Sequence, residues 1–256
     1  MAFAGSDSTG GAGIQADIEA IASMGCHAAP VITAVTVQDT TNVFAFTPQD
    51  SELVVQQARA VLEDIPVAAF KIGFLGSVDI VNAVHVLLTD YPEIPVVVDP
   101  ILNAGGGRSL ADREMIDAIQ TLLLPQTTVL TPNSHEARAL APEADTADAC
   151  AMSILEQGAE YVLITGTHAN TPKVTNVLYS NHRRLDSFEW ERLPGSYHGS
   201  GCTLSSALSG LLAHSKEPRS AIHEAQEYTW QSLKHGYRIG MGQRLPNRLF
   251  WANRES

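Results

Sequence analysis

Apolar residues along the chain alternate between short continuous runs and helix-like spacings. The run at residues 30–37 is β-branched and almost wholly apolar, which predicts a strand buried on both faces of a parallel sheet. Four shorter runs predict further strands, at 68–72, 95–99, 128–131 and 161–165. Residues 176–180 and 184–188 flank a short turn and predict a hairpin. Apolar spacings of three and four predict helices at 14–25, 53–62, 80–88, 115–124, 134–140, 147–158, 202–213 and 219–237.

Strands that alternate with helices indicate βαβ units, in which a helix connects two neighbouring parallel strands. The predicted fold class is therefore α/β, with a central, mostly parallel sheet and helices on both of its faces. No internal repeat, low-complexity tract or long linker divides the sequence. One domain is predicted over residues 1–256, because about 250 residues is an ordinary size for a single domain of this class.

The charge balance restricts the partners that this chain can bind. The 256 residues include 28 acidic and 16 basic side chains, a formal net charge of −12. A surface that binds nucleic acid or an anionic membrane needs clustered Lys and Arg, so neither partner is expected. An anionic ligand would have to be held by backbone amides, helix ends or a metal ion.

The cysteines and the N-terminus favour a cytoplasmic protein. Cys26, Cys150 and Cys202 form no CxxC pair and leave an odd number, which fits a reducing compartment. The N-terminus lacks the basic and apolar segments of a secretory signal. The longest apolar stretches are about five to nine residues, shorter than the roughly 20 that a transmembrane helix requires.

Residues 5–13, Gly-Ser-Asp-Ser-Thr-Gly-Gly-Ala-Gly, lie between a short apolar start and the first predicted helix. Glycines at such a place let the backbone approach a ligand and direct amide groups at it. The segment matches neither the Rossmann nor the Walker phosphate-binding pattern. A tight strand-to-helix turn that binds no ligand is the alternative interpretation.

A second glycine-rich segment, His-Gly-Ser-Gly-Cys-Thr at 198–203, opens a predicted helix. The first amides of a helix lack intrahelical acceptors and its dipole makes that end electropositive, so Gly199, Ser200 and Gly201 are candidates for an anion hole. Cys202 lies in the first turn, where a lowered thiol pKa is expected. The alternative is a packed cysteine in a helix whose small residues permit close contact.

Polar residues follow several of the predicted strands. Asn133 and Glu136 stand three residues apart, which favours a helix N-cap with a glutamate that reaches back to it. The alternative is a pair that faces a nucleotide-bound metal, since ligands of parallel sheets gather at the carboxyl ends of the strands. Asp99 ends an apolar strand at the same edge of the sheet.

Weaker candidates follow two other strands. Gln38 and Asp39 could form hydrogen bonds with a ligand, and residues 165–168, Thr-Gly-Thr-His, could contact phosphates through hydroxyl and amide groups. His168 and His198 are interpreted as loop histidines, because no spacing of metal ligands accompanies them.

In this order the segments resemble the ribokinase-like superfamily, and more closely the hydroxymethylpyrimidine/phosphomethylpyrimidine kinases of thiamine biosynthesis. The resemblance covers nearly the whole chain. The long first motif and the Gly-Ser-Gly-Cys motif are together quite specific, because most ribokinase-like sugar kinases have an aspartate where this chain has Cys202. The motifs that carry the resemblance are 4–17, 31–34, 37–38, 71–73, 98–100, 131–137 and 198–204.

The resemblance implies a three-layer ribokinase-like fold and a kinase that uses ATP and Mg²⁺. Its substrate would be 4-amino-5-hydroxymethyl-2-methylpyrimidine, phosphorylated on the hydroxymethyl group, and then the monophosphate, converted to the diphosphate. A homodimer is also implied. A pyridoxal or pyridoxine kinase of the same superfamily and a catalytically silent nucleotide-binding protein on this fold are the alternatives.

The matching positions carry the implied roles over to this chain. Residues of the pyrimidine pocket would be Gly5, Asp17, Gln38 and Phe74. The nucleotide would be bound by Asn133, Thr165, Gly166 and Thr167, and the metal by Asp99 and Glu136. The anion hole and the base would be Gly199, Ser200, Gly201 and Cys202. The chain departs from the family twice: Phe74 stands where methionine is common, and 165–167 has no lysine to reach the ATP phosphates.

Overall fold

A computed structural model describes residues 1–104, 107 and 109–252. Its strands are β1 Ala2–Ser6, β2 Pro30–Gln38, β3 Val43–Pro48, β4 Phe70–Ile72, β5 Val96–Val98, β6 Val129–Leu130, β7 Tyr161–Ile164, β8 Lys173–Ser180 and β9 Arg183–Glu191. They form one sheet in the order β3-β2-β1-β4-β5-β6-β7-β8-β9. The six central strands are parallel, while β3, β8 and β9 are antiparallel to their neighbours.

Helices cover both faces of this sheet. They are α1 Gly13–Ser23, α2 Ser51–Leu62, α3 Val78–Thr89, α4 Arg113–Ala118, α5 Ser134–Leu140, α6 Ala147–Glu156, α7 Ser200–Ala213 and α8 Pro218–Lys234. Core residues of α7 and α8 share one face of the sheet with the inner side of α1, and those of α2 to α6 lie on the other face. The prediction of an α/β, three-layer, mostly parallel fold is confirmed.

Strand β5 shows why the central runs are wholly apolar. Val96 and Val98 belong to the core on the α2–α6 side, and Val97 belongs to the core on the α7–α8 side. Successive side chains of a strand point to opposite faces, so a strand with helices on both sides must be apolar at every position. Asp99 follows as the first polar residue, at the carboxyl edge.

The predicted burial of residues 30–37 on both faces is wrong. Strand β2 exposes Ile32, Val35 and Val37, whose exposed fractions are 36%, 50% and 60%. Helix α2 packs against the other face of the strand, where Val31 and Ala34 are fully buried. Strand β2 lies next to the sheet edge, where the helices leave these three side chains exposed.

Three local features were not predicted. Strand β3 was missed, and it pairs antiparallel with β2 at the edge of the sheet. The short apolar start is a five-residue central strand, β1, which pairs in parallel with β2 and β4. The predicted helix at 115–124 is interrupted, because α4 passes into a π-helix at Ile119–Leu123 and a 3-10 turn at Leu124–Gln126.

Two global properties can be read from the described part of the chain. The three cysteines are free thiols. None of the helices within residues 1–104 and 109–252 combines the length and apolar character needed to cross a membrane.

Candidate active site

The two glycine-rich segments meet at the carboxyl edge of the sheet. Gly199, the N-cap of α7, has a φ of +80°, and a Cβ built on it would lie 1.9 Å from the carbonyl oxygen of Gly11. Only glycine fits there, since any side chain would collide with the other segment. A Cβ on Gly201 would lie 3.5 Å from Oδ2 of Asp99. The structure therefore brings three of the predicted motifs together at one place.

Helix caps distinguish this edge from the rest of the molecule. Six of the eight described α-helices begin with a side chain that accepts a backbone N–H bond, from Asp50, Ser77, Asp112, Asn133, Thr146 and Glu217. Helices α1 and α7 have no such cap, and their N-caps are Ala12 and Gly199. The free amides of a helix start need an acceptor, and an anionic ligand can supply it. The two uncapped helices are the two that meet at this edge.

Cys202 lies in the first turn of α7 and is 6% exposed. The N–H of Gly13, the first residue of α1, donates to its sulfur. The pKa of the thiol is raised to about 12, mainly by burial and also by the charges of Asp99 and Asp17, while the Lys71 ammonium opposes this rise. The predicted lowering of this pKa is wrong, because burial and two carboxylates outweigh the Lys71 ammonium and the N–H of Gly13. Cys202 is a thiol at neutral pH.

Asp17 is fully buried in α1 and does not face an open pocket in this structure. Its carboxylate oxygens lie 2.9 and 3.1 Å from Nζ of Lys71, and the hydroxyl of Ser206 donates to Oδ1 at 2.6 Å. Burial lowers the pKa of Lys71, but the charges of Asp17 and Asp99 and the hydrogen bond to Asp17 raise it more, so Lys71 is a cation. The carboxylate of Asp17 is therefore bound by Lys71 and Ser206.

Lys71 was given no role from the sequence. The signal available was a single lysine inside the apolar run of β4, between Phe70 and Ile72. A charge in a strand that is buried on both faces needs a partner inside the protein. The sequence does not show which carboxylate that partner is.

Asp99 and Glu136 form a pair of buried carboxyl groups. Ser205 donates to Oδ2 of Asp99 at 3.3 Å, and the backbone N–H groups of Asn133 and Leu102 donate to Glu136. Burial raises the pKa of Asp99, and the charge of Asp17 adds to this against Lys71 and Ser205. Burial and the charge of Asp99 raise the pKa of Glu136. Each carboxyl group thus disfavours ionisation of the other.

The predicted cap at Asn133 is confirmed. Its side chain accepts from the N–H groups of His135 and Glu136, and Glu136 reaches back to the N–H of Asn133, which completes a capping box. The capping box also leaves room for the alternative interpretation, in which Glu136 faces a metal. One of its carboxylate oxygens serves the cap, and the residue also feels the charge of Asp99.

The carboxyl groups of Asp99 and Glu136 are of the kind that binds Mg²⁺ in proteins. This ion is usually bound by one or two carboxylates, with waters and phosphate oxygens as the other ligands. Two mutually repelling carboxyl groups become stable anions when a cation binds between them. Within the described residues no cluster of three or more His, Cys, Asp or Glu offers a full set of protein ligands.

The segment after β7 supplies fewer amides than its composition suggests. The N–H of Thr165 donates to the carbonyl of Pro132, and the N–H of Gly166 donates to Oδ1 of Asn176 at 3.0 Å. A Cβ on Gly166 would lie 2.2 Å from the carbonyl oxygen of Thr175, so this segment is pressed against β8. The half-buried Thr165 and the exposed Thr167 keep hydroxyl groups for a ligand.

Gly5 and Phe74, both predicted to line the pyrimidine pocket, lie next to each other. A Cβ on Gly5 would lie 3.2 Å from Cδ1 of Phe74, whose ring packs edge-on against Phe46 with centroids 5.0 Å apart. A cavity of about 350 Å³, including its open mouth, is lined by Phe74 and Asp99 among others. Phe74 thus lies next to Gly5 and lines the same cavity as Asp99.

Gln38 carries an unused acceptor at the end of β2. Its Nε2 donates to the hydroxyl of Thr36 at 2.7 Å, and that hydroxyl donates to the carbonyl of Ser6 at 2.8 Å. Its Oε1 is buried, and within the described part of the chain it has no hydrogen-bond partner. Because an unsatisfied buried carbonyl is costly, a ligand donor is the natural partner for this atom.

The fold has three layers, a central sheet with helices on both faces, and two uncapped helices begin next to two buried carboxyl groups. These features define a ribokinase-like kinase fold. A family model described as phosphomethylpyrimidine kinase matches residues 7–247. The chain belongs to this family, and the resemblance predicted from the sequence is confirmed.

Relatives and solved structures agree with this assignment. The hydroxymethylpyrimidine/phosphomethylpyrimidine kinase of Haemophilus influenzae is 35% identical over 250 residues, which cover 94% of this chain and 93% of that protein. A phosphomethylpyrimidine kinase structure from Clostridium difficile has a TM-score of 0.78 and 32% identity, over 91% of this chain and 97% of that one. The Bacillus subtilis pyridoxal kinase in an ADP complex has a TM-score of 0.87 and 30% identity, over 98% and 97%.

Proposed function

We propose that this protein transfers a phosphoryl group from ATP to the hydroxymethyl group of 4-amino-5-hydroxymethyl-2-methylpyrimidine, and then a second one to the resulting monophosphate. Membership of the phosphomethylpyrimidine kinase family makes the chain a phosphotransferase. The observation that carries the site assignment is the meeting of two uncapped helix starts over Cys202 and Asp99.

The first turn of α7 is assigned to the transferred phosphoryl group. The amides of Ser200, Gly201 and Cys202 face the end of the helix, where the dipole favours negative charge. Charge spreads over the phosphoryl oxygens during transfer, so fixed donors at this place lower the barrier. The substrate oxygen forms a bond to the γ-phosphorus, the bond from the γ-phosphorus to the β–γ bridging oxygen breaks, ADP leaves with that electron pair, and the hydroxyl proton passes to solvent water.

Cys202 is assigned to the orientation of the substrate hydroxyl group. Its pKa of about 12 makes a neutral thiol a poor proton acceptor at neutral pH. A transition state of the phosphoryl-transfer type is largely dissociative and needs little removal of the proton beforehand. The sequence predicts Cys202 as the base, and the raised pKa of its thiol supports orientation of the hydroxyl group instead.

Asp99 and Glu136 are assigned to Mg²⁺, and Asn133, Thr165 and Thr167 to the nucleotide. The metal, when bound, neutralises the β- and γ-phosphate oxygens. Asp99 and Glu136 would hold it through buried oxygens that otherwise repel each other. Gly166 is assigned to backbone packing, because its amide is engaged by Asn176. The ATP-binding role is also supported by the ADP complex of the similar Bacillus subtilis structure.

Gly5, Gln38 and Phe74 are assigned to the pyrimidine. The free Oε1 of Gln38 can accept a hydrogen bond from the exocyclic amino group of the ring. Phe74 offers an aromatic surface next to Gly5. Asp17 is assigned to the support of the site through Lys71 and Ser206, since its carboxylate has no exposed surface.

Four wider predictions belong to the same proposal. A homodimer is supported by the exposed apolar residues Ile32, Val35 and Val37 on the outer face of β2. One domain over residues 1–256 is supported by the single sheet, although 105, 106, 108 and 253–256 lie outside the described residues. A cytoplasmic location and ligands limited to small molecules stay predictions from composition.

The experiment is product analysis with ATP and Mg²⁺, comparing the pyrimidine alcohol with pyridoxal. We expect monophosphate followed by diphosphate of the pyrimidine, and little product from pyridoxal. Faster phosphorylation of pyridoxal would favour the alternative that the Bacillus subtilis structure supports. The Cys202→Ala variant is the control, and it should lose turnover while it retains ATP binding. A parent protein that binds ATP but phosphorylates neither compound would support the silent alternative.

A further inference from the structure

Arg248 is the bulkiest of the fully buried side chains in the described part of the chain, with an exposed fraction of 2%. Its Nε donates to the hydroxyl of Thr203 at 2.9 Å, and Nη1 donates to the carbonyl of Gly10 at 3.3 Å. Nη2 donates to the carbonyl of Gly11. Nη1 also lies 3.0 Å from Oε2 of Glu19, a half-exposed carboxylate.

These contacts join the two segments that make up the site. Gly10 and Gly11 belong to the first glycine-rich segment, and Thr203 lies in the first turn of α7. A guanidinium is planar and rigid, so three donors that point at three fixed acceptors hold those acceptors in one relative position. Because a buried charge is costly unless it is paired and hydrogen-bonded, such an arrangement requires a compensating role.

A second contact joins the same segments from another side. Nε2 of His198 lies 2.8 Å from Oδ2 of Asp7, and His198 directly precedes the N-cap of α7. Asp7 also accepts from the N–H groups of Thr9 and Ala12, so its carboxylate organises the first segment. Burial raises the pKa of Asp7, but these hydrogen bonds lower it more, and the carboxylate is ionised at neutral pH.

We propose that Arg248 is a positioning residue for phosphoryl transfer. It fixes the glycine-rich segment against the start of α7, and thereby places the α7 amides and Cys202 before any substrate binds. Cys202 depends on this arrangement directly, because its sulfur accepts the N–H of Gly13 from the other segment. The inference rests on the proposed function for its kinetic consequence, whereas its structural consequence for Cys202 is independent of any activity.

The test compares Arg248→Lys with Arg59→Lys. Lysine keeps the charge but lacks the fork that reaches three acceptors. Arg59 forms a surface ion pair with Asp90 and serves as the control for the same exchange away from the site. We expect kcat of Arg248→Lys to fall about 100-fold with KM values for ATP and pyrimidine within threefold, because a small misplacement of reacting groups costs rate rather than binding. Arg59→Lys should match the parent.

Labelling of Cys202 with iodoacetamide, measured by peptide mass spectrometry, provides a second readout that needs no turnover. Cys202 is buried in the parent, so we expect at least tenfold faster labelling in Arg248→Lys and no change in Arg59→Lys. If the parent phosphorylates neither compound, the proposed function fails and the labelling still decides the role of Arg248. A folded Arg248→Lys with parental kcat and parental labelling would overturn the inference.

Should Arg248→Lys fail to fold, Thr203→Val replaces it. This change removes only the acceptor of Nε and the bond from the Thr203 hydroxyl to the Gly199 carbonyl. A lower kcat with faster labelling of Cys202 supports the inference. Parental values for both in a folded Thr203→Val protein contradict it.

Discussion

The ammonium of Lys71 lies 2.9 Å from Oδ1 of Asp17, and neither side chain has any exposed surface. The pair connects β4 with α1, and Ser206 extends it to α7. It lies beneath Cys202 and Asp99, and its charges enter the pKa of both. The floor of the site is therefore a buried ion pair between β4 and α1, which a hydroxyl group of α7 supports.

Lys71→Met should lower the free energy of unfolding by about 3–5 kcal/mol, because it leaves the carboxylate of Asp17 buried without its counterion. Urea denaturation followed by circular dichroism measures the loss. The double variant Lys71→Met/Asp17→Asn should recover part of it, since neither charge then remains. Arg59→Met, which breaks an exposed pair with Asp90, should cost at most about 1 kcal/mol. Equal losses of unfolding free energy for Lys71→Met and Arg59→Met would show that the buried position of the Lys71–Asp17 pair does not matter for stability.

Alkylation of Cys202 should be slow at neutral pH and should still increase above pH 10. The thiolate is the reactive form, and burial with two nearby carboxylates raises the pKa of the thiol to about 12. Iodoacetamide rates from pH 7 to 11, measured in a Cys26→Ser/Cys150→Ser background, provide the profile. Asp99→Asn should move the profile to lower pH, because it removes a negative charge that opposes the thiolate. A plateau near pH 8 would show a thiolate stabilised by the helix dipole instead.

Asn176→Leu should raise the KM for ATP about tenfold and leave the KM for the pyrimidine unchanged. Oδ1 of Asn176 accepts the N–H of Gly166, and its Nδ2 donates to the buried Gln226 at 2.9 Å. Loss of the acceptor leaves a backbone N–H without a partner and releases the segment that holds Thr165 and Thr167.

Initial-rate kinetics with each substrate varied in turn measures this difference. The control is Asn82→Leu, which removes an exposed hydrogen bond on α3 far from the segment. Gln226→Leu should resemble Asn176→Leu with a smaller effect, because it removes the acceptor of Asn176 and of Trp190 but leaves the bond from Gly166 to Asn176 in place. A parallel rise of both KM values would point to general unfolding of the site.

The topology could be predicted because burial on both faces imposes an apolar run, as at Val96–Val98, while the outer strands are less constrained. Strand β3 places exposed and buried residues in an irregular order, so its pattern resembles a loop. Strand β2 is as apolar as a central strand, although one of its faces is exposed. An apolar run thus indicates a strand, but it does not show whether a helix or another partner covers it.

The site could be predicted in its motifs but not in its electrostatics. The sequence places Cys202 at a helix start, which lowers a thiol pKa, whereas the side chains that raise it come from α1 and from the end of β5. Arg248 and Lys71 are single charged residues in otherwise ordinary segments. Their roles depend on contacts with residues far away along the chain, and no local pattern shows them.

Mg²⁺ should stabilise the protein more at pH 8 than at pH 5.5. The pKa values of Asp99 and Glu136 are raised in the folded protein, so the native state holds their protons more tightly than the unfolded chain. Their contribution to stability is therefore complete below the usual carboxyl pKa of about 4, and it is lost as the pH rises through the neutral range. Mg²⁺ can take the place of these protons and restore the lost stability, but only at pH values at which the two carboxyl groups have lost their protons.

Thermal melts with and without Mg²⁺ across this pH range measure the effect. Glu136→Gln should flatten the pH dependence of the Tm without metal and should reduce the gain from Mg²⁺, because one of the two repelling carboxylates is gone. Asp90→Asn, a change at an exposed carboxylate, is the control and should alter neither quantity. The same Mg²⁺ gain at both pH values, unaffected by Glu136→Gln, would place the metal elsewhere. With the predicted result, the carboxylates that repel each other in the folded chain are the ones that select a divalent cation.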